Sequence, residues 1–351
     1  MLVRELTDPQ QVDRSIPSNI AEDDFSLFAH ESSCHLGPVV QRTLQGVQVF
    51  PNAFVASGFS LLPHSAGFSV PRKGLFRHAK DGARLAAFRL GIRKPAVIDH
   101  ALMPVDEHAN GYFHWLCDSL PRLELLAHCG YPLSDTTIIV PHMAVFPYVL
   151  PSLEPFQAAS IHCGSREEYW RVRHLDLVSP LAPTGNYRPW VMQKLRSRMV
   201  AWYGSSSVQP QGEGGGPLRI FISRAKALRR KILGESILDS VLARYGIQKV
   251  CLEDLDFPAQ VALCARAELI VGLHGAGLSN MLWAPSGAKV LEIRFKGDSH
   301  NNCYFSLASA MDQSYWYLLA DKESPETDVH DANALVEPSA LEAVLEKALG
   351  P

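Results

Sequence analysis

The sequence has no run approaching the ~20 apolar residues that a membrane-spanning helix requires, so no transmembrane segment is expected. Met1 to Gln10 is charged and lacks an apolar core, which predicts no signal peptide there. Charge is nearly balanced. Against 36 Asp and Glu stand 33 Lys and Arg, a net charge of −3, and their scatter argues against nucleic acid as the main partner. Paired cysteines are also missing. The seven present (Cys34, Cys117, Cys129, Cys163, Cys251, Cys264, Cys303) are odd in number, widely spaced and contain no C-x-x-C. That pattern suits reduced thiols and disfavours a disulfide framework or a structural zinc site. The dinucleotide fingerprint G-x-G-x-x-G is absent too, because Gly272-x-x-Gly275-x-Gly277 runs in the wrong order.

What is present fits a cytoplasmic, globular, two-domain protein. A chain of 351 residues exceeds one ordinary domain, and a hydrophobic content of 47% suffices for sizeable cores. A Gly/Ser/Pro-rich stretch at 204–217 cannot bury enough apolar surface to order itself and reads as a linker. The expected division is 1–203, the linker, and 218–351.

After the linker, strand and helix signals alternate. Strands are expected at Leu218 to Ile222, Gln248 to Leu252, around Leu269, at Lys289 to Phe295 and at Tyr315 to Leu319. Helices are expected around Ile237 to Tyr245, at Pro258 to Ala267, Ala276 to Trp283, Cys303 to Met311 and Pro338 to Leu349. This alternation implies a parallel sheet covered on both faces, with ligands at the carboxyl ends of its strands. The first region is less legible. Residues 1–32 are polar with weak periodicity, which predicts partial mobility. Val47 to Val70 reads as strands broken by Pro51, Gly58 and Pro63. Pro95 to Ile98 and Thr136 to Val140 read as strands flanking a helix over Asn110 to Leu126, and Arg188 to Tyr203 as a further helix.

The segment Leu269 to Asn280 holds the sharpest signal: a buried strand breaks at His274-Gly275-Ala276-Gly277 and turns into a helix. Gly275 and Gly277 allow close backbone approach, and a helix start offers unpaired amides to phosphate. His274 and Ser279 could add side-chain donors. The alternative is a tight strand–helix turn with no ligand. Past an earlier strand end, Ser223 and Arg224, followed by Arg229, Arg230 and Lys231, offer forked guanidinium donors suited to phosphate oxygens. A solvated basic turn accounts well for Lys226 and Lys231. Glu292, at the end of a strand, could accept two ribose hydroxyls or pair with Arg294 or Arg224. Asp254-Leu255-Asp256 invites a metal reading, but before Phe257-Pro258 it is better read as a helix cap.

His114 and Asp118, four residues apart on the expected helix, face the same way. An Asp beside an imidazole prepares a general base, and Asp118 itself could serve with His114 orienting it. Arg122 would share this face, while Pro121 should kink or end the helix near Leu120. A surface ion-pair ladder is the plainer reading, and a metal held by His108, His114 and Asp118 is a weaker one.

These stretches, Phe113-His114-Trp115 with Asp118 and Leu120-Pro121-Arg122-Leu123, Ile222-Ser223-Arg224 with Arg230, Ile232 and Glu235, Val271 to Asn280, and Val290 to Ile293, resemble the family 61 glycosyltransferases in the same order. Gly234 departs from the pattern, where Asn is usual, and so does Ala259, where an acidic residue often precedes Gln260. The resemblance implies two Rossmann-like α/β domains facing a cleft, the glycosyltransferase B architecture. It also implies an inverting transfer from a nucleotide sugar to a glycan or other hydroxyl acceptor. The donor would rest on Ser223, Arg224, Arg230, His274, Gly275, Ala276, Gly277, Ser279, Asn280 and Glu292, with His114 and Asp118 catalytic and no metal or other cofactor. A bacterial, capsular-polysaccharide type of member, peripheral to the inner membrane, is the expected variant. The other readings are a non-catalytic nucleotide- or glycan-binding protein and a nicotinamide-dependent oxidoreductase.

Overall fold

The computed structural model describes residues 2–51, 53–57, 60–62, 95–106, 108–141, 145–165, 168–204 and 217–350. The chain divides into two compact units, one formed by 1–10 and 37–181, the other by 11–36 and 182–351. The division therefore falls near Leu181 and not at 204–217. The helix Pro189–Tyr203 and the segment 11–36, both expected in the N-terminal domain, group with the C-terminal residues. Of the expected linker, 205–216 lie outside the described residues.

The first unit holds a mixed sheet of eight strands: β1 (Leu2–Thr7), β4 (Val39–Val49), β5 (Val55–Ser57), β6 (Ser60–Leu62), β7 (Ala96–Met103), β8 (Thr137–Val140), β9 (Ser160–Cys163) and β10 (Trp170–Val178). Two further strands, β2 (Gln10–Asp13) and β3 (Ser33–Leu36), form a separate ribbon that groups with the second unit. The main order is β6-β5-β4-β10-β7-β8-β9, with β1 beside β4. From β10 through β9 the strands run parallel, whereas β4 pairs antiparallel with β10, β5 and β1. Of the expected strands over 47–70, those parts at 63–70 lie outside the described residues.

The helix after β7 does not end at Pro121. It runs as α over Tyr112–His114, as π over Trp115–Ser119, and as α again over Leu120–His128. Proline has no N–H to donate, and its ring would strike the carbonyl four residues back in a regular helix. The wider π turn, closed by Leu120 N–H donating to Trp115 O, absorbs that conflict immediately before Pro121. Buried Trp115, whose indole donates to Ser152 Oγ at 2.8 Å, anchors this turn.

The second unit carries the alternation read from the sequence. Strands β11 (Leu218–Ile222), β12 (Gln248–Val250), β13 (Ala267–Leu273), β14 (Lys289–Phe295), β15 (Ser314–Lys322) and the short β16 (Ala334–Leu335) form a sheet in the order β12-β11-β13-β14-β15-β16, parallel except for β16. Its core packs Phe221, Leu269, Val271, Leu291 and Ile293 against Leu341 and Leu345 of the last helix. The chain leaves β11 toward β12 on one side and reaches β13 on the other. The crossovers thus part between β11 and β13, and in open α/β sheets ligands bind outside the carboxyl ends at such a point.

Residues 2–32 form strands and short helices despite their weak periodicity, and residues 18–28 do so against partners far along the chain. Ser18 N–H donates to Tyr315 O at 2.8 Å. The Asn19 amide then stands in for a peptide group, accepting from Tyr317 N at 3.1 Å and donating to Tyr317 O at 2.8 Å. Phe28 covers Phe305, Tyr315 and Tyr317, with the Arg294 guanidinium 5.0 Å from its ring centroid.

Candidate functional site

In the first unit, the loop leaving β7 delivers a buried ion pair and then the helix bearing His114. Asp106 accepts from Arg122 Nη2 at 2.6 Å, and Arg122 Nη1 donates to Pro104 O at 3.0 Å. Burial pushes the Asp106 carboxyl up, but the Arg122 guanidinium outweighs it and holds the group below its ordinary value. Arg122 therefore pins the loop and does not join the stripe expected with His114 and Asp118. That pair does form: His114 Nδ1 donates to Asp118 Oδ2 at 2.7 Å, with the imidazole 30% and the carboxylate 14% exposed. A carboxylate at Nδ1 fixes the tautomer and leaves Nε2 as the basic nitrogen. Gly111 seats the ring, since a Cβ there would fall 3.2 Å from His114 Cδ2. The His108 ring lies 5.5 Å from that of His114. Among the described residues, no group of three or more His, Cys, Asp or Glu is placed to hold a metal ion.

In the second unit, Ser223-Arg224 follow β11 and His274-Gly275 follow β13, one on each side of the point where the crossovers part. The Arg224 guanidinium lies against Gly275, where a Cβ would fall 2.9 Å from Cζ. A side chain here would push the guanidinium aside. Gly277 plays no such part, since a Cβ on it would meet Ile222 and Leu252 at ordinary contact distances of 3.5 and 3.7 Å. Arg224 is held by the loop that follows, donating from Nε to Arg230 O at 2.6 Å and from Nη2 to Arg229 O at 3.1 Å. Arg230 takes a left-handed backbone, φ 55°, and its Nε is buried with no partner among the described residues. Burial, foremost, and neighbouring cations hold both guanidinium groups below their ordinary value. Neither forms an ion pair with a carboxylate among the described residues, unlike Lys226, paired with Asp254, and Arg229, 2.7 Å from Asp331. Two half-buried cations without an acidic partner make a place for an anion.

The remaining expected donor residues lie beneath this surface. Buried Ser223 donates to Glu235 Oε1 at 2.5 Å, and Glu235 also accepts from Arg224 N, so Ser223 fixes the arginine loop. The segment Ala276–Trp283 is a 3₁₀ helix, in which Ala276 is part-exposed while Ser279 and Asn280 are fully buried. Asn280 donates to Gly277 O and accepts from Trp283 Nε1, each at 3.1 Å, and so serves its own helix. Glu292 is not available to ribose. It is fully buried, accepting from His274 Nδ1 and from the Tyr315 hydroxyl. Asp256 caps the helix Phe257–Cys264 by accepting from Ala259 N at 2.8 Å, with Pro258 in the first turn. Gly234, φ 63°, occupies the left-handed region, which asparagine also tolerates, so that departure from the family pattern keeps the backbone unchanged.

Sequence reasoning missed Tyr304. Its hydroxyl donates to Gly275 O at 2.7 Å and its ring lies 5.0 Å from that of His274. No motif marks it; it arrives from the next helix, Cys303–Ala310, through the fold alone.

The family model described as Glycosyltransferase 61 matches residues 112–291, just over half of the chain, from His114 and Asp118 through the His274 turn. The chain belongs to the glycosyltransferase 61 family. It is 26% identical over 224 residues to the EGF domain-specific O-linked N-acetylglucosamine transferase of Drosophila melanogaster, covering 59% of this chain and 42% of that one. It is 30% identical over 140 residues to the beta-1,2-xylosyltransferase XAX1 of Oryza sativa subsp. japonica, covering 38% and 24%. It is 25% identical over 319 residues to the protein O-linked-mannose beta-1,4-N-acetylglucosaminyltransferase 2 of Bos taurus, covering 73% and 53%. The chain thus spans at most about half the length of these relatives. They are eukaryotic, so they lend nothing to the expected bacterial capsular type.

Proposed function

We propose that this family 61 member transfers a sugar from a nucleotide-sugar donor to a hydroxyl acceptor with inversion at the anomeric carbon. The half-buried guanidinium groups of Arg224 and Arg230, which form no ion pair among the described residues, beside His274 at the parting of the crossovers, are the observation that carries the reading. They are suited to the diphosphate. As the bond between the anomeric carbon and the diphosphate oxygen breaks, charge develops on that oxygen, and preorganised cations stabilise it. In the same reading His114 Nε2 takes the proton of the acceptor hydroxyl as its oxygen attacks the anomeric carbon, and Asp118 holds the resulting imidazolium. The donor belongs to the second unit and the base to the first, the division of labour of the glycosyltransferase B architecture. The cations take the part a metal ion would play, so the reaction proceeds without one.

The test is transfer or donor hydrolysis across a panel of nucleotide sugars. His114→Ala should cut turnover by about 10²–10⁴-fold, the usual worth of a positioned base, and leave donor affinity nearly unchanged. Activity should persist in EDTA. Near-normal turnover by His114→Ala and Asp118→Ala would remove the base assignment, and loss with EDTA that Mn²⁺ restores would remove the metal-free one.

A further inference from the structure

Behind His274 lies a line of buried polar groups that the proposed reaction does not use. Glu292 is 0%, Arg294 1% and Tyr315 4% exposed. A carboxylate so enclosed is costly unless its oxygens are met by donors or opposite charge. Here His274 Nδ1 donates to one oxygen and the Tyr315 hydroxyl to the other. Behind the tyrosine, Arg294 Nη1 donates to the same hydroxyl at 3.4 Å and to Asn302 Oδ1 at 2.8 Å, while Nη2 donates to Asp298 O. Burial, and then the Glu292 charge, push the Tyr315 hydroxyl well above its ordinary value, so the proton stays on the tyrosine. Tyr315 lies on β15 and Glu292 on β14, one strand nearer to the β13 turn that bears His274. Tyr315 is two strands from that turn and reaches it only through Glu292.

We propose that Tyr315, braced by Arg294, is a positioning residue for the anion site: it holds Glu292 in the orientation that engages His274 Nδ1 and leaves Nε2 to the bound diphosphate. The inference rests on the donor reading above for the identity of the anion, but not for the relay itself. With Nδ1–H committed to Glu292, the imidazole can neither flip nor exchange tautomers without breaking a buried, charge-assisted hydrogen bond. Removing the tyrosine hydroxyl frees Glu292 to rotate and releases the ring.

The experiment uses the full chain and two readouts. In ligand-free protein, proton NMR should show a downfield His274 Nδ1–H line, identified by its absence in His274→Ala. Tyr315→Phe keeps the ring packed on Phe28 and Phe305 but should shift or broaden that line. Tyr317→Phe, whose lost hydroxyl bonds Asp24, should leave it in place. In titrations with uridine diphosphate, Tyr315→Phe should weaken binding roughly three- to tenfold, the worth of one hydrogen bond. In the His274→Ala background the same change should cost less than twofold, because the two residues act as one unit. An unmoved line, or full losses that add in the double variant, overturns the relay. A line that moves in a chain binding no nucleoside diphosphate upholds the relay and overturns the donor reading.

Discussion

Arg224 does two things with one side chain: it lies against Gly275, and it presents a charge that forms no ion pair among the described residues. Arg224→Ala should therefore weaken nucleoside diphosphate binding by roughly 1.5–3 kcal/mol, the range for a hydrogen bond to a charged group. Binding of the free nucleoside should fall much less, and calorimetry with both ligands makes the comparison. Equal losses would mean that the arginine only supports the loop. At this scale the sequence marked Arg224, Arg230, His114 and His274 through their chemistry and spacing. It marked Glu292, Ser223 and Asn280 as well, but assigned them to the ligand. Their true partners, Tyr315, Glu235 and Trp283, are fixed by side-chain direction and packing, to which composition and spacing are blind. Gly275 and Gly277 read alike in the sequence, and only the placement of Arg224 shows which of them lies against a side chain.

Whole elements were legible where burial is two-sided. Parallel strands covered on both faces read as apolar runs, so β11, β13 and β14 and the helices around them could be recognised from pattern alone. The first unit was obscured by β4 and β10, long strands with mixed burial that pair antiparallel across more than a hundred residues of sequence. Of the two expectations for Pro121, a kink or an end, the structure takes the first: the helix is distorted ahead of the proline and continues past it. The sequence gives no sign that a π turn anchored by Trp115 resolves the proline's conflict with the preceding turn. The Asp106–Arg122 pair, which ties the loop ahead of this helix to its second half, makes that attachment sensitive to acid. A carboxyl held below its ordinary value adds stability that is present above about pH 4 and lost as pH falls through the lowered value. Asp106→Asn should accordingly be less stable than the parent chain at pH 7, with the gap closing below about pH 4. Urea unfolding across that range measures it, and a gap independent of pH would assign the loss to packing.

At the scale of the molecule, the second unit is assembled from two distant stretches of chain. Phe28, in the earlier stretch, seals the aromatic group formed by Phe305, Tyr315 and Tyr317. Phe28→Ala should destabilise that unit by about 3–5 kcal/mol, the usual cost of emptying a buried phenylalanine site, as read by urea unfolding. A loss under about 1 kcal/mol would mean that residues 11–36 merely rest on the surface. The discontinuity also sets an order of events on the ribosome. Residues 37–181 can pair among themselves as they emerge, but Asn19 and Phe28 must wait for β15, which is made some 280 residues later. At about 5–20 residues per second that delay is roughly a quarter of a minute to a minute. Throughout it the nascent chain carries Asn19 and Phe28 without the strand that they cover.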